Sequence, residues 1–309
     1  MVLPGPWNES VPGRPLVVSH RAGGNEAPEN TLAALRSAEA AGSKVMQMDI
    51  LPTREGTPVI FHDTSLKRAT GLDADIRQVA TRNLPQLLKV LQPLIPTASA
   101  EPVHTEDFKD GRRIPSLKEL LLEADDSTYL LLEIWEESQP LVRAVADEVR
   151  RAGKADRVIL GSLGSPAVWR MCHEELPEAQ RILPMREIYW LYALHLLGLE
   201  RCWKPPPGRS VFNIPLFTGW EAAFAKVLPI TGWRALLMRL SFAFGRWLFP
   251  RPRLFAWLQE RHSIPVVVFI LSEPEDWKAA LALNNGGPGS ITAIMTDSPA
   301  ALRTWLLGT

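Results

Sequence analysis

The chain has 309 residues, 46% of them hydrophobic, and 34 basic residues balance 34 acidic ones. That is enough apolar material for a large core, and the length accommodates one barrel of alternating strands and helices, which takes about 250 residues. Zero formal net charge argues against a nucleic-acid partner, two cysteines exclude a disulfide framework and suit a reducing compartment, and no apolar run reaches the roughly 18 residues that span a bilayer.

Residues 1–14 are rich in Pro and Gly with no signal-peptide pattern, and they predict a flexible N-terminus. Leu16–Ser19 is a short apolar run that reads as a buried strand. Asn30 or Thr31 opens a helix that ends at Gly42, a natural residue for the left-handed turn after a helix. Val45–Ile50 reads as the second strand, Thr53–Pro58 as a turn, and Val59–Phe61 as a third strand ending at His62. A polar, Pro-containing stretch from Gln92 to Arg113 reads as loop.

Ser116 with Glu119 forms a capping box for a helix over Leu117–Ala124. Strand Tyr129–Ile134, helix Gln139–Gly153 and strand Val158–Gly161 follow, then a helix capped by Ser165 with Pro166 at its first position. Arg181–Leu183 and Val211–Ile214 are further strand candidates. The last third gives helix Leu254–His262, strand Val266–Leu271, a helix capped by Ser272, strand Ala293–Met295 and a helix capped by Ser298. This rhythm predicts a parallel sheet with helical crossovers. With no Gly-rich phosphate loop in the chain, a (β/α)8 TIM-type barrel over residues 15–309, in one domain, is favoured over an open doubly wound sheet.

Barrel enzymes place their chemistry at the C-terminal ends of the strands. Here those ends carry His20 with Arg21, Gln47 and Asp49, His62 with Asp63, and Glu133. Two imidazoles suit phosphoryl chemistry near neutral pH, since one takes a proton while the other gives one. Carboxylates beside them would hold Mg²⁺ or Ca²⁺, and Arg21 offers a fork of donors suited to phosphate. Each residue taken singly has a plainer reading: a strand-end histidine more often packs than catalyses, and Glu133 would serve as well in a rim salt bridge. Asp49, between Met48 and Ile50, is more telling, because a carboxylate inside an apolar strand must be paired or liganded.

In order along the chain stand His20-Arg21-Ala22-Gly23-Gly24, Pro28-Glu29-Asn30-Thr31, Gln47-Met48-Asp49, His62-Asp63, Leu66-Lys67-Arg68-Ala69-Thr70-Gly71, Glu133 and Thr296-Asp297-Ser298-Pro299. This ordered set resembles the motifs of the glycerophosphodiester phosphodiesterase family over roughly residues 16 to 307. The resemblance implies a barrel fold and a phosphoric diester hydrolase with His20 and His62 as the acid/base pair. It also implies Gln47, Asp49 and Glu133 as ligands of Mg²⁺ or Ca²⁺, and Arg21 as a phosphate contact. Five positions depart from the family pattern. Gln47 replaces a metal-binding Glu, Trp135 replaces a phosphate-facing Lys, Ala22 replaces a Gly, which matters where that position needs positive φ, and Phe269 and Ser272 fall where the family usually has Trp and Asn.

Between residues 188 and 261 the alternation weakens and Trp and Arg accumulate, with RALLMRLSFAFGRWLF over Arg234–Phe249. A basic, aromatic amphipathic helix of this kind reads as an interfacial membrane element; buried against a core, it would be an ordinary barrel helix. Within the family this apolar insertion resembles the lysophospholipase D-type branch. The function expected is therefore a metal-dependent phosphodiesterase acting on lysophospholipids or glycerophosphodiesters, cytoplasmic or peripheral on endomembranes. Two rivals stand beside it: a catalytically weak or inactive homologue that binds lipid or phosphodiester, and an enzyme for water-soluble glycerophosphodiesters with no membrane contact.

Overall fold

The computed structural model describes residues 3–10, 14–95, 97–217, 232–283 and 291–308. Eleven strands run β1 (Leu16–Ser19), β2 (Val45–Pro52), β3 (Pro58–Ile60), β4 (Val90–Leu91), β5 (Val103–His104), β6 (Tyr129–Ile134), β7 (Val158–Gly161), β8 (Gln180–Ile182), β9 (Ser210–Pro215), β10 (Val266–Phe269) and β11 (Ala293–Thr296). Eight of them, β1, β2 and β6 to β11, pair in parallel with their neighbours. β1 closes the ring on both sides, through Val18 opposite Val45 and Leu16 opposite Ala293. The result is the predicted (β/α)8 barrel.

Four of the helices that carry the chain between barrel strands have side-chain caps, at Thr31, Ser116, Ser138 and Ser165. For α1 (Leu32–Ala40) the Thr31 hydroxyl accepts from the Ala34 amide at 3.1 Å, which resolves the choice between Asn30 and Thr31. The short α2 (Lys67–Thr70) lies in the long excursion between β2 and β6, and the Ser116–Glu119 capping box opens α3 (Leu117–Glu123). Ser138 caps α4 (Gln139–Arg151) and Ser165 caps α5 (Pro166–Glu175). α6 (Met185–Leu196), α7 (Gly232–Leu248), α8 (Pro252–His262), α9 (Pro274–Ala282) and α10 (Pro299–Gly308) complete the set. Ser272 does not cap α9: Glu273 takes the preceding position, and the Ser272 hydroxyl instead accepts from the Asp297 amide at 3.1 Å.

One layer of Val18, Val45, Leu131, Ile159, Ile182, Val211 and Val267 fills the barrel, while larger apolar clusters lie between strands and helices. Of the leader expected to be flexible, residues 1–2 and 11–13 lie outside the described residues, and residues 3–10 are ordered. Gly5–Glu9 forms a 3-10 turn, Trp7 is fully buried against the barrel-filling layer, and its indole N–H donates to Gln180 Oε1 at 2.9 Å. An indole has enough apolar area to repay ordering a short segment, and its one polar atom finds a partner.

β3 is not the third barrel strand. It returns antiparallel along the end of β2, pairing Ile50 with Ile60 and Pro52 with Pro58. Only a short turn separates the two, whereas a parallel neighbour needs a crossover of about a dozen residues. The third barrel strand is β6, and the excursion before it also contains an antiparallel pair, β4 with β5, of which β5 lies inside the stretch read as loop. The interval 188–261 likewise is not one inserted body. It includes most of α6, the barrel strand β9 and nearly all of α8, so only the segment between β9 and α8 is additional to the barrel. Of that segment, residues 218–231 lie outside the described residues.

Candidate active site

At the end of β1 the backbone curls through three consecutive residues of positive φ, Arg21 (49°), Ala22 (60°) and Gly23 (98°). The curl is held by the Arg21 amide donating to Gln47 Oε1 at 2.9 Å and the Asn30 amide donating to the Arg21 carbonyl at 3.0 Å. Ala22 therefore does sit where a glycine would be relaxed, at a cost of about 1 kcal/mol. The turn holds His20 at the barrel mouth, with Nδ1 2.6 Å from Oδ1 of Asp297, just beyond the adjacent strand β11.

His62 reaches the same mouth from the β2–β3 excursion. Its Nδ1 lies 2.6 Å from Asp63 Oδ1, and Asp63 Oδ2 accepts from Arg68 Nε at 2.5 Å. Burial would raise the Asp63 carboxyl, but hydrogen bonds from His62 and Arg68 outweigh it and hold it at about 2. Arg68 also donates to Glu29, which accepts from Arg21 Nη1 at 3.3 Å. Thus one chain of charges runs from His62 through Asp63, Arg68 and Glu29 to Arg21. In both histidines a carboxylate fixes the Nδ1 edge and leaves Nε2 as the atom free to exchange protons. His62 packs edge-on against Trp135, with ring centroids 5.1 Å apart, and both line an open cleft of about 590 Å³ with Asp63, Ser65, Lys67 and Arg68.

Asp49 and Glu133 face each other across the β2–β6 register, and Gln47 lies two residues back on the same side of β2. Burial opposes ionisation of Asp49, yet the charges of Arg21, His62 and His20 hold its carboxyl below the usual range. Burial, with the neighbouring charge of Asp49, pushes Glu133 up to about 7.

These residues do not fit a Mg²⁺ or Ca²⁺ ion as they are arranged. Asp49 Oδ1 accepts from Gln47 Nε2 at 2.8 Å and from the Trp135 indole at 2.9 Å. Asp49 Oδ2 accepts from Asn30 Nδ2 at 2.9 Å and has Arg21 Nε at 3.5 Å. The Gln47 amide cannot be turned round, because one end meets a backbone N–H and must be oxygen, while the other meets a carboxylate and must be nitrogen. Its only oxygen thus already accepts from the Arg21 amide. Arg21, expected to contact phosphate, is buried between Glu29 and Asp49, and its Nε makes no hydrogen bond. Among the described residues, no group of three or more His, Cys, Asp or Glu is placed to hold a metal ion.

All six residues singled out from the sequence converge at this mouth. Glu29, Asn30, Asp63, Arg68 and Asp297, which anchor them, had no role assigned. Their signal was membership in the quoted motifs, to which Asp63 adds its place beside His62 and Asp297 its place just after β11.

Residues 20–206 match the model of the glycerophosphoryl diester phosphodiesterase family. The chain is 26% identical over 300 residues to mouse lysophospholipase D GDPD3, covering 94% of this chain and 81% of that protein. It is 29% identical over 294 residues to human lysophospholipase D GDPD1, covering 94% and 85%. In fold it resembles the glycerophosphoryl diester phosphodiesterase domain of an uncharacterized Mycobacterium tuberculosis protein, with a TM-score of 0.66 at 21% identity over 94% of this chain and 98% of that one. A phosphodiesterase from Oleispira antarctica, solved with the product sn-glycerol-3-phosphate, aligns with a TM-score of 0.59 at 19% identity over 96% and 97%. The chain belongs to the glycerophosphoryl diester phosphodiesterase family and is a phosphoric diester hydrolase.

Proposed function

We propose that this chain hydrolyses lysophospholipids in the lysophospholipase D manner, cleaving the phosphodiester on the headgroup side. The observation that carries the reading is the pair of imidazoles, His20 and His62, each anchored through Nδ1 to its own carboxylate at 2.6 Å. A neutral imidazole takes the proton of the attacking water as the new P–O bond forms. The other, as imidazolium, returns a proton to the headgroup oxygen as the old P–O bond breaks, leaving lysophosphatidate and the free alcohol. The relatives named lysophospholipase D align over nearly the whole chain and support the substrate class.

A second feature favours a lipid substrate over a water-soluble one. On α7 the exposed residues Trp233, Leu236, Leu237, Leu240, Phe244 and Trp247 are more than half uncovered and recur at helical spacing, whereas Phe242, Gly245 and Leu248 face inward. α6 adds exposed Tyr189, Trp190 and Leu196, with Leu197 just beyond its end, and it is tied to the end of α7 where the Tyr192 hydroxyl donates to the Phe249 carbonyl at 2.7 Å. Arg234 and Arg251 lie over the rings of Trp233 and Trp247. An outward apolar face with tryptophans and arginines suits the headgroup level of a membrane, and the chain would act there peripherally. No helix among the described residues is long and apolar enough to cross a membrane.

The test is choline release by the purified protein from lysophosphatidylcholine micelles and from glycerophosphocholine. Release from the micelles at a higher kcat/KM is the expected result. Preference for glycerophosphocholine would overturn the lipid assignment.

A further inference from the structure

The hydrogen bonds around Asp49 bear on how this centre stabilises charge. A hard cation needs several oxygen lone pairs pointing to one place. Here Gln47 Nε2, the Trp135 indole and Asn30 Nδ2 donate to both oxygens of the carboxylate at 2.8 to 2.9 Å, and the Arg21 guanidinium stands 3.5 Å from Oδ2. Asp49 is fully buried, so a bound ion would have to displace these donors and leave the buried amides of Gln47 and Asn30 without this partner. We propose that this chain has exchanged the divalent-cation site expected of it for a hydrogen-bonded one, in which Gln47, Trp135 and Asn30 donate to the two oxygens of Asp49 beside the Arg21 guanidinium, so that the centre operates without Mg²⁺ or Ca²⁺.

Two substitutions act together in this exchange. A Glu at 47 would put a carboxylate oxygen where the Gln47 amide nitrogen now stands, 2.8 Å from Asp49 Oδ1, and two charges that close require a shared proton or a cation between them. Gln47 replaces that repulsion with a donor. Trp135 lays its one N–H on the same oxygen while its ring packs against His62, so the indole links the filled carboxylate to a proton-transferring histidine. Asp49, Gln47 and Trp135 are positioning residues here: they hold Arg21 and His62 in place rather than ligating an ion. The inference deepens the phosphodiesterase reading of the same site, but its test does not depend on turnover.

The experiment is calorimetric titration of chelator-dialysed protein with MgCl₂ and with CaCl₂, on the wild type and on Asp49→Asn, together with thermal unfolding in chelator and in millimolar cation. The wild type is expected to show no binding heat that Asp49→Asn removes, and no cation-dependent shift in Tm. Gln47→Glu with Trp135→Lys is expected to gain a binding site and a rise of about 4 °C at saturating cation. Should that double variant fail to fold, Gln47→Glu alone is expected to show a smaller rise of the same sign. Choline release by the wild type should stay within about twofold when chelator is added. Single-site binding of either cation to the wild type, lost in Asp49→Asn, would overturn the proposal, as would chelator abolishing activity that added cation restores. Protein inactive on every phosphodiester would count against the functional reading alone, since the calorimetry still decides whether the carboxylate holds a cation.

Discussion

Asp49 and Glu133 are register partners on β2 and β6, yet their carboxyl groups titrate in opposite directions. Both are buried, which favours the neutral acid. Asp49 is nevertheless held ionised by Arg21 and the two histidines, while Glu133, with one backbone N–H at 3.2 Å and a charged neighbour, rises to about 7. Environment alone thus shifts two adjacent carboxyls in opposite directions.

Glu133 should make stability fall as pH rises. Its folded value of about 7 lies above the ordinary 4.5, so the folded state holds the proton more tightly than the unfolded chain. The resulting stabilisation is complete below about pH 4.5 and is lost through pH 7, a change of about 3 kcal/mol. Glu133→Gln should therefore gain on the wild type by roughly that amount between about pH 5 and pH 8, read from urea midpoints. Parallel pH profiles for the two proteins would contradict the assignment.

Asp297→Asn and Asp63→Asn should each lower kcat by about 10²-fold with little change in KM, because each removes the carboxylate that fixes an Nδ1 edge and leaves the cleft intact. Asp63→Asn should also shift the acid limb of the pH–rate profile, whereas a merely structural role would lower both limbs together. Steady-state kinetics across pH distinguishes the two.

Trp7→Ala should destabilise the fold by about 3–5 kcal/mol, the range for emptying a buried aromatic site, and should strand the Gln180 side chain. Differential scanning calorimetry measures it. A change below about 1 kcal/mol would show that the N-terminal turn contributes little to the closed end of the barrel.

Gly23→Ala should cost both stability and activity. Gly23 adopts φ 98°, and an added Cβ would stand 2.9 Å from Pro299 Cγ, two residues beyond the aspartate that anchors His20. A loss of about 2 kcal/mol, with kcat falling more than KM rises, is the outcome expected from strain together with displacement of the His20–Asp297 pair.

Much of this was legible in the residues themselves. Short apolar runs, Ser and Thr caps and Pro at first helical positions marked most barrel elements, and strand ends pointed to His20, Asp49 and Glu133. Two features were hidden because they depend on three-dimensional closure. Asp297 meets His20 across 277 positions, which no local pattern reports. β3 has the composition of a barrel strand, but its short connection to β2 forces an antiparallel pairing. Trp7 escaped notice because a Pro/Gly-rich leader resembles disorder unless the pocket that receives its single indole is known. The orientation of Gln47 follows from its two neighbours and could not be read from its type alone.

The most direct measurement of the central claim is choline release from lysophosphatidylcholine micelles by the wild type, His20→Ala and His62→Ala, alongside their melting temperatures. Each histidine variant is expected to lose about 10²- to 10⁴-fold in activity, with melting little changed, as for removing a proton-transfer group from an intact cleft. Near-wild-type release by either folded variant would contradict that claim.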